Sequence, residues 1–146
     1  LHSSRKQMNL IFQGQGHLNT TIGWNNTENS TGGTIYSYSV AILAPNFIAY
    51  NNSFQDTLLD VPGKHYFKEC FIQGSIDFIF GNGRSLYEIC KISLIAKQNR
   101  DTTAYARNSA SEKTGTSLRS LCYGRLCKNV HIKCHIRLSS WLSADV

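Results

Sequence analysis

The distribution of apolar and polar positions predicts strands along most of this chain. Residues 34–43 (TIYSYSVAIL), 47–54, 65–73 and 76–80 are rich in β-branched and aromatic side chains, which fit a pleated, half-buried surface. No stretch carries a sustained i, i+3, i+4 apolar stripe with caps, so few helices are expected. Gly14, Gly16, Gly32, Gly33, Gly63, Gly74, Gly81 and Gly83 punctuate the strands as turns. A short repeat runs through the pattern. YNNSF (50–54), KECFI (68–72) and EICKI (88–92) overlay so that Asn52, Cys70 and Cys90 coincide, and so do Phe54, Ile72 and Ile92. The intervals are 18 and 20 residues. A period near 20 in a glycine-punctuated all-β chain suits a parallel β-helix, in which each coil stacks on the one before. On periodicity alone, a sandwich or another all-β fold stays open.

Composition narrows the class. At 146 residues the chain can form one domain with a core, burying about 70% of its unfolded surface, and a multidomain enzyme is not expected. With 11 Gly and 2 Pro it is neither collagen-like nor proline-rich and disordered. No apolar run approaches the ~18 residues of a membrane span, so no membrane partner is expected. Nothing suggests an oligomer, and a monomer is expected. The chain opens at Leu1 without a charged leader and apolar stretch, so a secretion signal is expected to be absent or removed. Five cysteines are too few for a disulfide scaffold. Cys70 and Cys90 fall at equivalent repeat positions, where a disulfide and stacked free thiols are both allowed. Sequons at Asn19, Asn25, Asn29 and Asn51 favour a secreted glycoprotein.

Two acidic residues stand apart. Asp77 sits within Ile76-Asp77-Phe78-Ile79-Phe80, where a carboxylate buried without partners costs several kcal/mol. Asp56 precedes it by 21 residues, one coil at the inferred period. Equivalent positions on stacked coils lie about 4.8 Å apart. Two carboxylates that close do not both ionise easily, so one keeps a proton while the other is an anion. That arrangement suits a general acid beside a carboxylate nucleophile. The plainer alternative has Asp56 capping a turn and Asp77 facing solvent.

The surrounding residues favour the chemical reading. Asp56-Thr57-Leu58-Leu59, followed by the run from His65 to Gly81-Asn82 through Gln73-Gly74-Ser75-Ile76-Asp77-Phe78-Ile79-Phe80, resembles the signature region of plant pectinesterases (pectin methylesterases). That family reads Q-D-T-L, then an aromatic-rich strand, then G-[ST]-[VI]-D-F-I-F-G-N. Thr21-Ile22-Gly23-Trp24 and Asn46-Phe47-Ile48-Ala49 resemble the preceding coils. Thr103-Ala104-Tyr105-Ala106-Arg107 and Glu112-Lys113-Thr114-Gly115 resemble later segments. The resemblance covers roughly residues 9–118. It implies an all-β, right-handed single-stranded parallel β-helix of the pectin-lyase-like kind, secreted to the plant cell wall. The implied activity is removal of methyl esters from pectin, without metal or other cofactor. Asp77 matches the nucleophile, and Asp56 matches the acid that protonates the leaving group and then activates water. Gln55 matches an oxyanion donor, and Phe80 an aromatic that packs on the sugar chain. A proteinaceous pectinesterase inhibitor is a possible partner by the same resemblance.

The chain also departs from the family pattern. Ser53-Phe54-Gln55 runs straight into Asp56-Thr57, where the family has on the order of 40 further residues, about two coils. The family's other oxyanion glutamine lies in that gap. Leu59 stands where the family often has an aromatic, and Tyr105 where it has glutamine. Past Leu118 the resemblance lapses, giving an expected division into an incomplete β-helix (1–118) and a divergent basic segment (119–146). Tyr123-Gly124-Arg125-Leu126 is the one candidate for the family's L-G-R-[PA]-W, making Arg125 a candidate substrate-binding residue beside the alternative of an ordinary surface arginine. Residues 119–137 carry five basic and no acidic side chains, which is +5 of the +6 net charge. The basic balance is therefore poor evidence for an acidic substrate. The spacing of Cys122, Cys127, His131, Cys134 and His135 fits no usual zinc module. The alternation of Val130, Ile132, Cys134, Ile136 and Leu138 reads as a half-buried strand, so neither metal nor nucleic acid is expected. A chain shortened in this way leaves two readings open: an active esterase, or an inactive remnant that binds polysaccharide or has no function.

Overall fold

The computed structural model describes residues 8–23, 38–75, 77–95, 103–105, 109, 111–119 and 122–123. Every element there is a strand, and each coil contributes up to three. The first coil holds β1 (Asn9–Gln13), β2 (Thr21–Gly23) and β3 (Val40–Ile42). The second holds β4 (Asn46–Tyr50), β5 (Ser53–Gln55) and β6 (Leu58–Asp60), and the third β7 (Lys64–Lys68), β8 (Phe71–Gly74) and β9 (Ile79–Gly81). The fourth has β10 (Arg84–Glu88), β11 (Lys91–Leu94) and β12 (Thr103–Tyr105); β13 (Gly115–Arg119) and β14 (Cys122–Tyr123) begin a fifth. Strands pair only with their counterparts on neighbouring coils, always in parallel. The first sheet is ordered β1-β4-β7-β10-β13, the second β14-β11-β8-β5-β2 and the third β12-β9-β6-β3. This is a parallel β-helix, wound right-handed as parallel crossovers are.

The repeat seen in the sequence is the register of the stack. Phe54 pairs with Ile72 and Ile72 with Ile92. Alternate apolar side chains of the sheets point inward and pile into columns. Phe67 and Tyr87 lie face to face, centroids 4.5 Å apart and 5° from parallel, while Phe54 meets Phe67 edge-on at 5.8 Å. Burying a side chain such as Phe67 contributes roughly 1.5–3 kcal/mol.

Two strand assignments need correction. Residues 47–54 and 65–73 do not run straight; each is broken by a corner, at Asn51 and Glu69. The corner residues sit in the left-handed region, with φ of 55° at Asn51, 54° at Glu69 and 53° at Ile89. Such corners are usually announced by glycine, and here only Asn51 is of a type that adopts this conformation readily. Ile89 is β-branched and half exposed, so its strain of about 1–2 kcal/mol is not repaid by burial. Replacing Ile89 by Asn is expected to stabilise the fold by about 1 kcal/mol, read as a higher urea midpoint at unchanged slope.

Each corner leads into a buried polar or sulfur-bearing side chain: Asn52, Cys70 and Cys90. Asn52 Nδ2 donates to the carbonyls of Tyr50 at 2.7 Å and Phe12 at 2.9 Å. Cys70 and Cys90 are free thiols, which settles the choice left open by the sequence. Cys70 Sγ donates to the Lys68 carbonyl at 3.3 Å and Cys90 Sγ to the Phe67 carbonyl at 3.4 Å. The neighbouring Cys70 sulfur and burial push the Cys90 thiol up.

The junction at which the family resemblance implies a gap shows no break in the stack. The second coil, which contains the Gln55–Asp56 junction, pairs on all three sides with the first coil and on all three with the third. A gap of whole coils, as the resemblance implies, would preserve the register, because each coil contacts mainly its neighbours.

Candidate active site

Gln55 ends β5, and Asp56 follows it into the turn between the second and third sheets. One coil further on, Gln73 pairs in register with Gln55. The turn that follows is three residues longer, running from Gly74 to Phe78 where the second coil has only Asp56 and Thr57. The extra residues delay Asp77 so that it meets the third sheet at the same step as Asp56. Leu58 pairs with Ile79, and the Leu58 N–H donates to the Phe78 carbonyl at 2.7 Å. Two residues before each member of that pair stand the two aspartates. Both adopt positive φ, 85° at Asp56 and 42° at Asp77, a strained conformation of the kind that clusters at functional sites.

The longer turn is made possible by Gly74. A Cβ there would lie 2.2 Å from Phe78 Cβ and 2.5 Å from the Asp56 carbonyl oxygen, so no other residue fits without displacing the turn. The Asp56 N–H donates to the Gln73 carbonyl at 2.9 Å, tying the two turns together. Ser39 Oγ, from the coil below, donates to Asp56 Oδ2 at 3.1 Å and aims the carboxylate.

A groove of about 500 Å³ opens beside this array, lined by Thr21, Gly23, Gln55, Asp56, Gln73, Gly74, Ser75 and Ile95. Gln55 is exposed and Asp56 half-buried. Asp77 is half-buried between exposed Ser75 and buried Phe78. Phe80 is half-buried on the third sheet, paired with Leu59 one coil below. Arg125 lies outside the described residues.

Chemically, the array offers two carboxylates at equivalent steps of adjacent coils, two amides in register, and a groove open to a large solute. Gln73 and Ser39 were not singled out from the sequence. The 18-residue interval that overlays Phe54 on Ile72 also overlays Gln55 on Gln73 and could have found the former. Ser39 has no such signal, since it stands 17 positions before Asp56, off the intervals at which the stacked positions recur. A second cluster lies inside the stack. Asp60, His65 and Ser85 are all buried, with the Asp60 carboxylate against His65 Nδ1 and accepting from the Ser85 hydroxyl. His65 Nε2 faces the Ala44 carbonyl at 3.0 Å.

Comparisons with known proteins bear on this arrangement. The pectinesterase family model matches residues 50–125. "Putative pectinesterase 14" of Arabidopsis thaliana is 42% identical over 145 residues, covering 73% of this chain and 44% of the relative. The matched span is longer than the part of this chain it covers, so the relative carries residues inside it that this chain lacks. "Probable pectinesterase 8" of the same plant is 37% identical, covering 75% of this chain and 39% of the relative. This chain thus spans less than half the length of these relatives. Among solved structures, the pectin methylesterase from carrot has the same fold, with a TM-score of 0.59 at 23% identity, over 78% of this chain and 46% of that one. The coil register, the paired aspartates and the match across half the sequence have one reading: the chain belongs to the pectinesterase family.

Proposed function

We propose that this chain hydrolyses the methyl esters of cell-wall pectin, releasing methanol and leaving free galacturonate carboxylates. One observation carries the reading: Asp56 and Asp77 stand at equivalent steps of successive coils, with the Gln55 amide adjoining Asp56. In the proposed reaction an oxygen of the Asp77 carboxylate attacks the ester carbonyl carbon. The oxyanion that develops accepts a hydrogen bond from the Gln55 amide. Protonated Asp56 gives its proton to the methoxy oxygen, the C–O bond breaks and methanol departs, leaving an acyl-aspartate anhydride. Asp56, now a carboxylate, takes a proton from water as the water attacks the galacturonyl carbon of the anhydride. Asp77 leaves as a carboxylate and Asp56 regains its proton, so the cycle closes without metal or cofactor. Phe80 offers an aromatic face for a sugar ring, and Arg125 is the candidate to hold the Asp77 carboxylate.

The same reading puts the protein outside the cell as a glycoprotein of the wall. The exposed sequon residue Asn19 supports it. A chain that retains the polysaccharide groove without turnover is the competing reading, favoured by the short span relative to its relatives. Methanol release from highly methyl-esterified pectin by the purified chain separates the two. Steady release that stops when the pectin is de-esterified beforehand is expected. Binding of the polymer without methanol would sink the hydrolytic reading.

A further inference from the structure

Gln55 is a single amide, and acyl-transfer sites commonly aim two donors at the developing oxyanion. The groove holds a second. Gln73 pairs in register with Gln55, about 4.8 Å away along the stack. In β8, Ile72 and Gly74 are buried while Phe71 and Gln73 are part-exposed, so the Gln73 amide stands on the outer surface. Both amides line the groove together with Asp56. The Gln73 carbonyl also fixes the Asp56 N–H, so this glutamine is coupled to the proton donor through its own backbone. Its Nε2 makes a contact of 3.4 Å with Ser93 Oγ, longer than an ordinary N–H···O bond. Such a contact is exchanged for a charged acceptor at little cost.

We propose that Gln73 is a catalytic residue, the second donor to the ester oxyanion beside Gln55. The proposal rests on the ester-hydrolysis reading above. The carbonyl oxygen of the bound ester accepts from both amides, and both bonds strengthen as negative charge collects on it. Neither amide gains or loses a proton. The shortened chain thus draws its second donor from the coil above Gln55.

The test compares the unmodified chain with Gln73→Ala and Gln73→Glu on a short, fully methyl-esterified oligogalacturonide. Gln73→Ala is expected to lower kcat by on the order of 10²-fold with KM little changed. Gln73→Glu is expected to do no better, because a carboxylate cannot donate to an oxyanion. The urea midpoints should match, since Gln73 is part-exposed, and this separates a catalytic from a structural loss. Normal kcat in Gln73→Ala, with the unmodified chain active, overturns the proposal and leaves the hydrolytic reading standing. A second readout does not depend on turnover: the side-chain amide NMR signals of Gln55 and Gln73 during titration with the same oligomer. Both are expected to move with the methyl ester and not with the de-esterified oligomer. A Gln73 signal that stays still while Gln55 moves, or no response from either, overturns the proposal even if the chain proves inactive.

Discussion

Replacing Asp77 by asparagine is expected to reduce methanol release by on the order of 10⁴-fold or more, to the background of the assay. Asparagine is the informative substitution. It has nearly the shape of aspartate and tolerates positive φ, so the φ of 42° at position 77 survives. Alanine there would add backbone strain to any chemical loss. The amide cannot form the acyl intermediate, because its nitrogen lone pair is delocalised and it has no anionic oxygen to attack with. Asp56→Asn is expected to do less harm, roughly 10²–10⁴-fold, since it removes proton transfer and leaves the nucleophile. Initial rates on highly esterified pectin give both values, with mass spectrometry to confirm that the new asparagine has not reverted by deamidation. Release by Asp77→Asn within tenfold of the unmodified chain would remove Asp77 from the nucleophile's role.

What was legible in the sequence is what recurs at the coil period. The intervals of 18 and 20 residues are the registers of β5 with β8 and of β8 with β11, and the 21-residue spacing of the aspartates is that of β6 with β9. A stack enforces this, since a residue inserted outside a turn would turn every inward side chain outward. Corners were less legible. Glu69 and Ile89 turn the chain through the left-handed region without a glycine or asparagine to announce it, so 65–73 read as one strand. The three-residue lengthening before Asp77 was hidden inside the 21-residue spacing, although it is what brings Asp77 to the step of Asp56. Least legible was the cluster of Asp60, His65 and Ser85. Its members lie up to 25 positions apart and meet because the turns after the second and third coils stack on one another.

That cluster carries the second large effect: His65→Leu is expected to destabilise the fold by about 3–5 kcal/mol. The side chains of Asp60 and His65 are wholly buried. His65 binds the Asp60 carboxylate on one side and the Ala44 carbonyl on the other. Ser85 closes the remaining carboxylate oxygen, and the N–H groups of Asn82 and Gly83 both donate to the Asp60 main-chain carbonyl at 2.9 Å. The turns after the first, second and third coils are thereby fastened at one point. Gly83 leaves no slack, since a Cβ there would fall 2.4 Å from Asp60 Oδ1. Removing the imidazole takes away the ion-pair partner of a wholly buried carboxylate and leaves its charge under-compensated. If the stranded charge is the cause, adding Asp60→Asn to His65→Leu should recover part of the loss, because a buried neutral amide costs less than a buried anion. Urea unfolding of the single and double variants measures both effects. A single-variant cost below about 1 kcal/mol, or a double variant worse than the sum of its parts, would show that the pair does not hold the turns. Methanol release well below the unfolding midpoint should stay near that of the unmodified chain, because the pair braces the turns at the far end of β6 from Asp56. Loss of activity without loss of stability would instead tie this cluster to the groove.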